Sequence, residues 1–336
     1  MTKPIPSDCN GLYGPPDYDP DGWNDCPDPD GCPGTPPDHG GHQQGKNNCY
    51  NYACNIRNDK FAQPGAGGNP PYVPTAFTCD EYEKAAVADG LQRLGTGPKG
   101  CDGDCTGANC HKVALAIAPH DFHWLRLDSN GRWSHKVGGS PATDEDSSGS
   151  KITNIRQADL KPYKLCSCFC VCKCHETITD WATAIKKLEE QIEALKKELK
   201  MDDAPSKAKN KKRAGTAATS GTRLEVTLDV FSGRTNPTWI EAPSTAARLR
   251  QKLRDLPPAD HVNTTRLGYR GFLLTFYRPR HSMPLRYRVF NGRVLTHHPG
   301  GKLSYHSDAH GLERALRKLA QRRGFESVLE EMSPPA

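Results

Sequence analysis

The stretch Lys46–Gly65, KNNCYNYACNIRNDKFAQPG, holds the residues best placed to do chemistry. Cys49 follows a Gly-Lys-Asn-Asn loop and opens a helical pattern. At a helix start, unpaired N–H groups and the helix dipole favour a thiolate over a thiol. Thiol catalysis also needs a base, and a third group to orient that base. Two histidines downstream fit these roles by alternation along strands. His111 opens HKVALAIA and shares a face with Val113, Leu115 and Ile117, while His123 shares a face with Leu125 and Leu127. His135, in WSHK, is an alternative base, and Asn48 stands where an oxyanion would need a donor. Cys54, a turn and a half further in, is less favoured. The competing reading of each histidine is a strand cap or a satisfied core residue.

The elements that must position these residues can be read from period and punctuation. NCYNYACNIRNDKFA is a short helix that ends at Pro64, and TCDEYEKAAVADGLQRL is a second helix capped by Thr78, which Gly90 ends or breaks. HKVALAIAP is a strand, and DFHWLRLDSNGRWSHKVG is a hairpin around Ser129-Asn130-Gly131. Helix, helix, then antiparallel strands predict an α+β domain over residues 46–176.

All 14 cysteines lie between Cys9 and Cys174. In LCSCFCVCKC, Cys166 to Cys174 alternate, so one strand would aim all five at one face. Same-face neighbours about 6.6 Å apart are too distant for a sound disulfide, so any bonding must reach other segments. Cys101, Cys105 and Cys110 are the partners at hand. Disulfides, core packing and a zinc site drawn from Cys101, Cys105, Cys110, Cys168 and Cys170 all remain open. No cofactor is required by the cysteine chemistry considered above.

The rest of the chain is of different character. Residues 1–45 are Pro, Gly and Asp with hardly an aliphatic side chain, which predicts a flexible or turn-rich arm. Ile178, Trp181, Ile185, Leu188, Ile192, Leu195 and Leu199 recur at spacings of three and four. That heptad predicts a coiled-coil helix over 177–200 and a parallel homodimer through residues 178–199, against the alternative of a helix packed on its own domain. Residues 201–221 have the small, polar and basic composition of a tether. From Thr222 to residue 336 a second, small α+β unit follows, with about 19 Lys and Arg against about 10 acids in a chain of net charge +6. A nucleic-acid partner is the minor reading of that basic unit, because no RNP, KH or zinc-finger pattern occurs. No apolar run of about 18 residues exists, so no membrane partner is expected. The start, MTKPIPSDCNGLYGPP, lacks a basic-then-apolar leader pattern, which leaves a cytoplasmic location or a specialised export route.

CYNYA, Cys49 to Ala53, resembles the opening of the CHAP amidases, and the order of cysteine helix, His-led strand and next-strand polar residue resembles the NlpC-like papain-fold hydrolases. The resemblance spans residues 46–172. It implies a papain-like cysteine-rich domain with Cys49 as nucleophile, His111 as base and His123 as orienting group. The implied activity is that of a cysteine amidase or peptidase, a hydrolase acting on a peptide or peptidoglycan-like substrate. The chain departs from the family in showing Cys-His-Lys-Val-Ala at 110–114 and in lacking Asp-Cys-Ser-Gly. The rival class is a non-catalytic interaction or metal-binding protein, with a cysteine-stapled domain joined to a basic one.

Overall fold

The computed structural model describes residues 15–20, 23, 46–106, 110–172, 177–198, 222–261, 266–279, 284–298 and 303–333. The tether at 201–221, most of the arm, and Cys9, Cys26, Cys32 and Cys174 lie outside them. The architecture is α+β, with two antiparallel six-stranded sheets.

The first half opens with helices α1 (Cys49–Ala53) and α2 (Cys79–Ala88). Thr78 caps α2 by accepting from the Glu81 N–H, and Asp80 and Glu81 fill its positive first turn. The sheet follows as β1 (Gln92–Arg93), β2 (Cys110–Ala118), β3 (Asp121–Leu127), β4 (Trp133–Lys136), β5 (Ala142–Thr143) and β6 (Lys164–Cys172), in the spatial order β1-β6-β2-β3-β4-β5. Gly131, at φ +76°, makes the tight β3–β4 turn that the Ser-Asn-Gly sequence predicts. The sheet's two faces go to different partners. Val113, Leu115, Phe122, Trp124 and Phe169 pack under α1 and α2. Ala114, Ala116, Leu125 and Cys168 pack instead into a cluster that runs on into the second sheet.

The cysteine strand corrects one expectation. Pairing of β2 with β6 steps from Leu115–Ser167 to Ala116–Leu165, which leaves Cys166 as an extra, bulged residue. A bulge interrupts alternation, so Cys166 joins the helix side and bridges Cys79 of α2. Cys168, Cys170 and Cys172 bridge Cys101, Cys105 and Cys110. The cysteines proposed as zinc ligands are thus consumed in disulfides. Among the described residues no group of three or more His, Cys, Asp or Glu is placed to hold a metal ion.

The second half contains β7 (Arg223–Leu228), β8 (Thr238–Glu241), β9 (Phe272–Tyr277), β10 (Leu285–Phe290), β11 (Arg293–His297) and β12 (Leu303–Ser307), ordered β12-β11-β10-β9-β7-β8. In β7, Leu224, Val226 and Leu228 are buried and alternate with more exposed residues, as its period of two requires. Asn291 and Gly292 both take positive φ, the two-residue turn that joins β10 to β11. Helices α4 (Pro243–Lys252), α5 (Leu312–Arg322) and α6 (Glu326–Met332) supply Leu249, Leu316 and Leu329 to the core.

Between the halves lies α3 (Trp181–Glu198). Ile178 and Ala184 are buried against the first half. Ile185, Ile192 and Leu195 are each more than half exposed, so an apolar stripe is left uncovered among the described residues. No helix among the described residues is long and apolar enough to cross a membrane. Part of the arm is docked. Trp23 is buried, its ring 5.0 Å from that of Tyr52 and 4.7 Å beneath the Arg57 guanidinium. Arg126 holds the carbonyl of Asp17 at 2.9 Å.

Candidate functional site

Asn48 is the N-cap of α1. Its Oδ1 accepts from the N–H groups of Tyr50 and Asn51 at 3.0 and 3.1 Å, and Asn51 returns the bond through its own Oδ1 to the Asn48 N–H. This reciprocal capping fixes a helix of 5 residues that propensity alone would not hold. Both hydrogens of the Asn48 side-chain amide are taken, by the carbonyls of Ala62 at 2.6 Å and Gly233 at 2.9 Å. The support role expected of Asn48 would need a free donor, and the side chain has none to offer.

Cys49 is the first residue of α1, but it is not an activated thiol. It is free of disulfides and fully buried, and its Sγ–H points at the carbonyl of Phe122, 3.9 Å away. Burial pushes its pKa well above the ordinary thiol value, and the carboxylate of Asp121 adds to the shift. Lys136 and the Trp124 and Tyr50 N–H groups oppose it without cancelling it. A helix of one turn carries too small a dipole to reverse that order.

The three histidines do not assemble around it. His111 lies on the same sheet face as Cys49 but at the far end of β2, where its Nε2–H donates to the carbonyl of Ala53 at 2.7 Å. It therefore meets α1 at Ala53, the end of the helix away from Cys49. Burial pushes its pKa down to about 4, so it is neutral.

His123 alternates with Phe122 and Trp124 and therefore faces the opposite side of the sheet from Cys49. Its ring lies 5.5 Å from that of Tyr163, a member of the cluster shared with the second half. His135, opposite Leu125 in the β3–β4 register, is on that far face too. His135 Nε2–H donates to the carbonyl of Glu145 at 2.8 Å, which leaves its Nδ1 to accept from His123 Nε2–H at 2.8 Å. His123 Nδ1 is then a buried acceptor with no hydrogen-bond partner among the described residues. Burial holds both imidazoles neutral, His135 at about 4 and His123 well below its ordinary value; His135 and Arg270 add to the effect on His123, whereas the Glu145 carbonyl, Asp146 and Asp144 oppose it at His135. Of the expected Cys49–His111–His123 constellation, His123 lies on the sheet face away from α1, and His111 meets α1 at Ala53.

What does surround Cys49 was not singled out from sequence. Lys136 is fully buried with its Nζ on the carbonyls of Asn47 and Gly138, at 2.7 and 2.6 Å, and burial pushes its pKa down to about 7. Asp121, also fully buried, accepts from Tyr163 Oη, from the Ser232 N–H and Oγ, and from the Gly233 N–H. Gln63 Nε2 and Asn48 Nδ2 both hold the Gly233 carbonyl at 2.9 Å. Gly233 sits so tightly on the Phe122 ring that a Cβ would lie 2.4 Å from it. The Ser232–Gly233–Arg234 loop of the second half therefore closes over the cysteine helix. Alternation in WSHK places Lys136 opposite His135, but nothing local in the sequence points to the pairing of residues 121 and 232.

No family model matches the chain, and no solved structure matches it. It is 42% identical over 121 residues to insoluble matrix shell protein 1 of Ruditapes philippinarum, an alignment covering 36% of this chain and 75% of that protein. The chain belongs to the family of that shell matrix protein. Kinship with an insoluble matrix shell protein overturns the cysteine amidase or peptidase reading, and with it the hydrolase assignment and the peptide or peptidoglycan substrate. The chemistry agrees, since the Cys49 thiol is fully buried.

Proposed function

We propose that the chain is a non-catalytic structural protein of an extracellular insoluble matrix. The observation that carries this reading is the 42% identity to insoluble matrix shell protein 1 over three quarters of that protein's length. Support comes from the disulfides from Cys79–Cys166 to Cys110–Cys172, which persist in an oxidising, extracellular setting and are rare in a reducing one. In this reading the cysteine helix packed on an antiparallel sheet is a papain-like scaffold kept for its shape, its thiol sealed under the second half. The exposed stripe of Ile185, Ile192 and Leu195 on α3 then serves self-association as a parallel two-stranded coil.

The test is fractionation of the source tissue with an antiserum against the recombinant chain. The protein should be found outside cells, in material that yields it only to denaturant together with reductant. Recovery as a freely soluble intracellular protein would overturn the reading.

A further inference from the structure

The contact between the halves is built like a plug and socket. Gly233 offers its carbonyl to two side-chain amides and its N–H to Asp121, and its lack of a Cβ admits it to the Phe122 ring. Arg234 donates to the carbonyl of His120 at 2.6 Å, with its guanidinium 4.9 Å from the Phe77 ring centre. The loop itself is held in shape from behind, where Asn236 Oδ1 accepts from the N–H groups of Val230 and Phe231.

Plug and socket lie on opposite sides of residues 199–221, a stretch with no apolar period. A stretch of that length can reach at most about 80 Å, the covalent limit of a fully extended chain. No cysteine follows Cys174, so no disulfide ties the second half to the first. The tether also begins where α3 ends, beside the uncovered Ile185, Ile192 and Leu195 stripe. Pairing two α3 helices through that stripe would bring both copies of each half together, so that docking onto the partner competes with docking within one chain.

We propose that this joint is exchangeable: the Ser232–Gly233–Arg234 loop of one copy docks into the Asp121, Asn48 and Gln63 socket of a second copy. The partner is thus this same chain, and the exchanged second halves lock the pair together. The proposal rests on the matrix reading for its purpose but not for its geometry, so the two fail separately.

The experiment uses the full chain in isotopically light and heavy forms, with one specific protease site placed within residues 201–221. The two forms are mixed in mild denaturant with disulfides intact, returned to native conditions, cut, and weighed at once by native mass spectrometry. Random assortment of light and heavy chains into fully exchanged dimers predicts that about half of all first-half–second-half pairs are mixed light and heavy. Ile192→Lys should reduce the mixed pairs, and Gly233→Val should reduce pairs of every kind. Pairs that are all light or all heavy, or halves that separate on cutting the unsubstituted chain, would overturn the exchange while leaving the matrix location untouched.

Discussion

The two halves secure their sheets by opposite means. The first ties β6 to its surroundings with disulfides on both faces, from Cys79–Cys166 on the helix side to Cys110–Cys172 across β2. The second has no cysteine and instead buries one carboxylate between two guanidinium groups: Asp229 meets Arg270 at 2.5 Å and Arg288 at 2.6 Å, all three essentially inaccessible. The first device depends on redox state and constrains the unfolded chain, whereas the second depends on charge and must be complete to be tolerated. One half is therefore sensitive to reductant and the other to loss of a single side chain.

The largest effect should follow reduction. The bridges close loops of 62 to 87 residues, and loop-closure entropy gives each, taken alone, about 4 kcal/mol. Hydrogen exchange followed region by region should quicken strongly in β2 and β6 on adding reductant and much less in β7 and β9. Equal acceleration in both sheets would erase the contrast. Next in size, Asp229→Ala strands two buried guanidinium groups and should cost about 3–5 kcal/mol in denaturant unfolding. It should also loosen the loop that carries Gly233, since Asn236 is anchored on Asp229 at 2.8 Å. A loss below about 1 kcal/mol would show that the pair is not essential to the second half.

Gly233→Val is expected to cost less, about 1–3 kcal/mol from overpacking against Phe122, with the damage read as easier separation of the halves. The smallest effect concerns pH. His135 titrates at about 4 in the fold against about 6.5 when unfolded, so the unfolded chain takes up the proton first as pH falls. Its contribution is present above about 6.5 and is lost as pH falls towards 4. Asp89, pushed up to about 7 by burial, works in the opposite direction over the same range, so wild type alone would not isolate the histidine. The diagnostic is the difference in melting temperature between wild type and His135→Gln, which should narrow on going from pH 7 to pH 4. A constant difference would mean that His135 is not held neutral.

Local signals in the sequence were read with more success than long-range ones. The start of α1 at Cys49, the Thr78 cap, the turns at Gly131 and Asn291-Gly292 and the alternation in β7 are all set by neighbours within a few residues. The bulge at Cys166 escaped notice because strict alternation in LCSCFCVC gives no hint of where pairing with β2 slips. His123 looked suitable because it sits on an apolar face, but which face lies under α1 is decided by packing from other segments. Trp23 lay in a stretch too polar to suggest a core residue, yet it is buried on Tyr52. The closing of Gly233 over Phe122 joins residues more than 100 positions apart, beyond the reach of any pattern along the chain.

The central claim, that Cys49 belongs to a sealed scaffold and not to a catalytic site, is most directly tested by its reactivity. Native protein treated with iodoacetamide at neutral pH should leave Cys49 unmodified over a time in which the denatured, non-reduced protein is alkylated fully, as read by peptide mass mapping. The result should be the same in His111→Ala, whose imidazole is engaged with the Ala53 carbonyl. Rapid modification of Cys49 in the native chain, lost in His111→Ala, would contradict the account.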